Sequence, residues 1–185
     1  YCLLSRGLGD VYKRQHLGPV NPQATTSAFK DTAALTSIAF NDEAAHGATE
    51  ASHGYPFLIQ LIGYLAWNAA SQASETTITS ITVNAVLGEA ITTMGTQVHD
   101  PAVRALSQRQ LEYLHALANI ADEAGTATSG AIAHELKTTT TSLSEVRARL
   151  LEQGLIDAPR HGTVALALPY LRNYLHAGGE QTCVD

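Results

Sequence analysis

The chain has 185 residues, 17 of them acidic and 11 basic, for a net charge of -6, with 45% hydrophobic and 15% charged residues. This balance excludes a disordered polyelectrolyte and argues against a strongly basic, non-specific nucleic-acid binder. No apolar run reaches the roughly 18–20 residues of a membrane-crossing helix, and the two cysteines, Cys2 and Cys183, stand too far apart in the chain for a metal-ligand spacing or a disulfide framework, so a cytoplasmic chain with no membrane partner is expected.

The opening is read apart from the rest. The chain starts at Tyr1 and its single methionine is Met94, which predicts an N-terminal truncation. Residues 1–15 resemble a translated sequencing adapter, because Asp10-Val11-Tyr12-Lys13-Arg14-Gln15 can be encoded by GATGTGTATAAGAGACAG. Native sequence is expected from about His16. The remainder carries 8 Lys and Arg against 16 Asp and Glu, and seven of those eight basic residues lie between Arg104 and Arg172. No Lys or Arg occurs from Asp31 to Val103, so an acidic half precedes a balanced one.

In the acidic half, Asn41 before Asp42 and Glu43 predicts a helix start, since a capping side chain satisfies free N–H groups and acids suit the positive end of the helix dipole. That helix is expected to end at His53-Gly54, and Pro56 to open a second one, rich in Leu and Ile, that forms the centre of a small bundle. A third helix is expected over residues 83–94, with a Ser/Thr-rich loop at 71–80. Trp67 and Tyr64 are expected to pack in the core, and Tyr55 and Phe57 to staple two helices together.

In the balanced half, a helix is predicted from Ser107 to Ile120, then a loop at 122–129, a short helix at 130–136 and a turn at 138–141. Ser142-Leu143-Ser144-Glu145 fits a capping box that would open a helix running to Gln153. Residues 155–158 and 163–168 read as two strands of a hairpin, and Pro169 as the start of a last helix. Three helices followed by a hairpin is the winged-helix order. The helix from Ser142 would then be the one that enters a DNA groove, with Ser142, Ser144, Arg147 and Arg149 as donors and Arg160 and His161 at the hairpin tip near a phosphate. The plainer alternative is that these are ordinary exposed polar residues, with Arg147 pairing along its own helix.

Ser52-His53-Gly54-Tyr55-Pro56-Phe57-Leu58-Ile59-Gln60-Leu61-Ile62-Gly63-Tyr64, followed by Trp67, resembles the lid of AAA+ ATPases of the archaeal-ATPase and origin-recognition-like type. Residues 28–33 and 40–44 resemble the entry to that lid, and residues 144–156 and 165–172 its winged-helix end. The fold class this implies is mainly α: a small helical lid bundle (16–100), a winged-helix domain with a two-stranded β-hairpin (101–178) and a tail (179–185). The resemblance further implies ATP and magnesium in the full-length protein, with Gly54, Tyr55 and Pro56 at a nucleotide-facing helix start. It implies DNA as a partner of the winged helix, a P-loop domain N-terminal to this chain, and a homo-oligomer. The chain itself holds no G-x-x-x-x-G-K-[ST] loop, so no phosphate-cradling or catalytic residue is assigned, and no ATP hydrolysis is expected from it alone. It also departs from many such lids in having no arginine near Gly54. Two other functions remain open: a signalling ATPase whose winged helix binds protein, and a stand-alone winged-helix transcription regulator. The eight histidines include no H-x-x-x-H pair, and no metal site is assigned.

Overall fold

Asn21 and Pro22 open the first helix, α1 (Pro22–Ala33), in the computed structural model, which describes residues 18–33, 35–123 and 125–178. The adapter-like opening and the tail from residue 179 lie outside the described residues. The Asn21 side chain accepts the Ala24 N–H at 2.9 Å, so this helix, absent from the sequence expectations, has an ordinary capped start. Next come β1 (Ala39–Phe40) and α2 (Asp42–Ser52), the latter capped by Asn41 as expected. His53 and Gly54 end α2 in left-handed backbone at φ 48° and 68°. A Cβ at Gly54 would collide with the backbone carbonyl of Val20, whose N–H donates to Gly54 O at 2.8 Å.

Helix α3 (Pro56–Gln72) lies at the middle of the bundle, packed against α1, α2 and α4 (Ser80–Met94). Only one stripe of it is fully buried, Leu58, Ile62, Ala66 and Ala70 at 0–1% exposure. The expectation that Tyr64 packs in the core fails, since Tyr64 is 64% exposed, whereas Trp67 is half-buried against the bundle and donates its indole N–H to Thr36 Oγ1. The predicted loop at 71–80 is also corrected. It contains the end of α3, a strand β2 (Thr77–Ile78) paired parallel to β1, and Thr79, which caps α4 in a box with Thr82.

Helix α4 continues through a π-helical turn (Gly95–His99) into α5 (Asp100–Arg104), one helical rod that leads out of the bundle. Ser107 and Gln110 form a capping box at the start of α6 (Gln108–Ile120). Then follow β3 (Thr126–Thr128), α7 (Ser129–Glu135), α8 (Ser144–Glu152), β4 (Ile156–Asp157), β5 (Thr163–Leu166) and α9 (Leu171–Ala177). The expected β4–β5 hairpin is present, with Ile156 opposite Leu166, but β3 pairs with the other edge of β5, making a three-stranded antiparallel sheet in the order β3-β5-β4. The predicted capping box at Ser142 does not form. Leu143, 6% exposed, takes the cap position, and the Ser142 and Ser144 hydroxyls donate back to Thr139 O and Thr141 O. Pro169 does not start α9 either; Tyr170 caps it in left-handed backbone. The chain is thus mainly helical, a small bundle followed by a winged-helix-like unit. Two buried clusters reflect this, one built from α1–α4 and one from α6–α9 with the sheet, and Leu168 packs against both.

His99, 1% exposed, sits where the rod meets the segment leading into α9, with its Nε2 3.0 Å from Pro169 O. The carbonyl can only accept, so Nε2 carries the proton, and Nδ1 is buried without a hydrogen-bond partner among the described residues. Burial lowers the His99 pKa below the ordinary histidine value, outweighing the Pro169 carbonyl, which acts the other way. The unfolded chain therefore binds this proton more readily than the folded one, and stability present above about pH 6.5 is lost as the pH falls through the ordinary histidine range. The urea midpoint is expected to drop from pH 7.5 to 5.5, with a smaller drop in His99→Gln; an equal drop in both would assign the effect to other groups.

Candidate nucleic-acid interface and nucleotide-facing turn

Eight Lys and Arg lie in the described residues, and their partners sort them. Lys30 pairs with Asp42, whose carboxyl it holds below the usual range; Arg104 pairs with Asp100 at 2.7 Å; Arg149 pairs with Glu145 at 2.6 Å. Arg172 donates to Ala121 O at the end of α6. The other four, Arg109, Lys137, Arg147 and Arg160, make no ion pair among the described residues, and all belong to the winged-helix-like unit.

Their positions follow from the local folding. Lys137 stands in left-handed backbone (φ 50°) just after α7, and the Thr138–Leu143 turn leads from it into α8. Ser142 and Ser144 are exposed at that turn with their hydroxyl protons committed to carbonyls, so they meet an outside donor as acceptors. Arg160 and His161 are exposed at the tip between β4 and β5, and the Arg160 main chain is fixed by two hydrogen bonds with Thr163 Oγ1. A cavity of about 360 Å³ separates the start of α6 from α8, lined by Arg109, Gln110, Glu145 and Arg149 among others.

The pairing along α8 that the plainer alternative gave to Arg147 falls to Arg149. Arg149 makes the i,i+4 pair along α8, whereas Arg147 is half-buried, its Nε enclosed and without a hydrogen-bond partner among the described residues. Its charge acts on Tyr113 of α6, a 1%-exposed residue whose hydroxyl also lacks a partner among the described residues. Burial raises the Tyr113 pKa, and Arg147 offsets part of that rise. Arg147 thus sits toward α6, one of the less accessible cations of this face. Arg109 and Lys137 were missed from sequence; Lys137 immediately before the threonine run was the available signal.

The second set of candidates, Gly54, Tyr55 and Pro56, forms the turn between α2 and α3. Pro56 is the first residue of α3, and among the described residues no side chain caps the helix there, which leaves its first N–H groups without a side-chain acceptor. The turn lies between two hollows. An apolar groove of about 580 Å³ runs from Val20 and Pro56 past Phe29 and Tyr64 to Trp67. A cleft of about 550 Å³ separates His53, Tyr55 and Pro56 from Gln153, Asp157 and Leu168 of the winged-helix-like unit.

Fold and site together define a helical bundle joined to a winged-helix-like unit whose unpaired cations gather around one helix and the hairpin tip. Comparison with known proteins adds the following. A family model described as a domain of unknown function (DUF8462) matches residues 96–175, the last part of the rod and nearly all of the winged-helix-like unit. No curated protein matches the chain. Among solved structures, the RuvB Holliday junction branch migration motor of Thermotoga maritima aligns with 83% of this chain and 49% of its own, at 16% identity and a TM-score of 0.40. Two point-mutant forms of it align at 17% and 15% identity with TM-scores of 0.40 and 0.39, over 83% and 81% of this chain and 48% and 47% of theirs. The chain spans about half the length of these structures.

Proposed function

We propose that this chain is the lid and winged-helix region of an AAA+ ATPase, and that the winged helix contacts DNA. The observation that carries the DNA reading is the distribution of cations. Every Lys or Arg of the described chain that lacks an ion pair or a helix-end carbonyl lies around α8 and the hairpin tip, where a winged helix meets the duplex. Lys137, Arg160 and Arg109 contact phosphates, Ser142, Ser144 and His161 add polar contacts, and Arg147 and Arg149 contribute once released from Tyr113 and Glu145. The lid reading rests on the 52–67 motif and on the uncapped start of α3. Gly54, Tyr55 and Pro56 face the nucleotide, with ATP and magnesium held mainly by a P-loop domain N-terminal to this chain, and the assembled ATPase is a homo-oligomer.

Fluorescence anisotropy of the chain with a short labelled duplex, repeated across a salt series, tests the DNA contact. Binding is expected to weaken as salt rises, and Lys137→Ala and Arg160→Ala are each expected to reduce the log–log slope by about 1, because each lost phosphate contact releases one fewer counterion. No binding at low salt would remove the DNA reading and favour a winged helix that packs against protein.

A further inference from the structure

Four residues other than glycine adopt left-handed backbone in the described chain, and two of them touch across the two halves. His53 ends α2 at φ 48°, Tyr170 begins α9 at φ 59°, and their rings meet edge-on, with centroids 5.2 Å apart and planes at 77°. This backbone region is unfavourable for any residue with a Cβ and persists where the surroundings enforce it. The surroundings here are specific. The Tyr170 hydroxyl donates to Ala51 O at 2.8 Å, a carbonyl in the last turn of α2 that has no partner within its own helix. Next to it, Pro169 O accepts from His99 Nε2 on the π-helical turn, and Tyr174 donates to Asp100 Oδ1 of α5 at 2.8 Å. Burial, followed by that carboxylate, pushes the Tyr174 pKa up to about 12, so the tyrosine remains a donor throughout the neutral range.

We propose that residues 168–174 form a latch that fastens the winged-helix-like unit to the bundle, so that the two halves behave as one cooperative body. The helical rod 80–104 is one connection, and a single helical connection allows the units at its ends to swing. The latch is a second connection, far away in sequence, and two connections fix the orientation. Because His53 directly precedes Gly54, a displacement of the Gly54–Pro56 turn acts on Tyr170 and through it on α9. The winged helix then follows the turn, and changing its position requires opening the latch. The latch goes beyond the nucleotide and DNA readings and holds without either ligand.

Trp67 is the single tryptophan and belongs to the bundle, so its fluorescence reports the bundle alone, while helical circular dichroism reports both halves. Urea unfolding followed by the two probes tests the latch without nucleotide or DNA. The wild-type curves are expected to coincide. Tyr170→Gly keeps the left-handed backbone while deleting ring and hydroxyl, and should separate them, giving a dichroism curve with a second phase absent from the fluorescence. His53→Gly, which removes the ring from the other side, should do the same and serves if the first variant fails to fold. Separated curves in the wild type, or coincident curves in both glycine variants, would overturn the latch.

Discussion

Gly54→Ala is expected to lower the unfolding free energy by about 2–3 kcal/mol, the sum of roughly 1–2 kcal/mol for an L-residue in left-handed backbone and about 1 kcal/mol for a lost buried hydrogen bond. The first contribution comes from φ 68° at this position. The second arises because the new Cβ runs into Val20 O, a backbone atom, so the Pro19–Val20 segment must withdraw and its Val20 N–H to Gly54 O bond goes with it. The damage falls on the turn proposed to face a nucleotide. Chemical denaturation of wild type and variant measures the loss directly. Gly47→Ala is the reference, since a Cβ there meets nothing within 4 Å and the exchange removes a flexible glycine from inside α2. A loss at Gly54 no greater than at Gly47 would mean that neither the backbone angle nor the Val20 contact constrains the turn.

Leu150→Ala is expected to cost roughly 2–5 kcal/mol, the range for truncating a fully buried leucine, most of it from the cavity left behind. Its consequence exceeds its size, because Leu150 is the one fully buried side chain of α8. The helix proposed to meet DNA is otherwise held by half-buried Val146, Arg147 and Leu151 and by Leu143 just before it. Truncation should therefore loosen α8 as well as lower the melting temperature, and DNA affinity should fall although no cation has changed. Leu58→Ala, an equally buried position in α3, provides the contrast: a comparable stability loss in the bundle with DNA affinity retained at temperatures where the variant is folded. Equal effects on affinity from the two would show that α8 needs no separate anchor.

How far the fold was legible depended on whether its determinants were local. Asn41 before two acids, Ser107 with Gln110, and Pro56 after His53-Gly54 each carry their whole physical cause within a few residues, and each marks a helix end where expected. The Ser142–Glu145 box looked equally good and failed, because the buried Leu143 claims the cap position and Glu145 goes to Arg149 instead. Strands β1, β2 and β3 are two or three residues long and exist only through partners distant in the chain, Ala39 with Thr77 and Ala127 with Val164, which no local pattern announces. Helix α1 was different: Asn21 before Pro22 is a local start of the same kind, yet no helix was expected there. For the site, residue types placed the cations in the second half, but pairing is a matter of geometry. That Arg149 is engaged, Arg147 sunk beside Tyr113, and Lys137 and Arg109 unpaired required the packing of α6, α7 and α8.

The most direct test of the proposed DNA contact is the perturbation of backbone amide resonances in the isotopically labelled chain as duplex DNA is added. The account predicts shifts concentrated at residues 137–149 and 159–162 and near Arg109, with the apolar groove between α1 and α3 unchanged. Shifts confined to that groove or to α9, or none at protein concentrations well above those used for anisotropy, would contradict it.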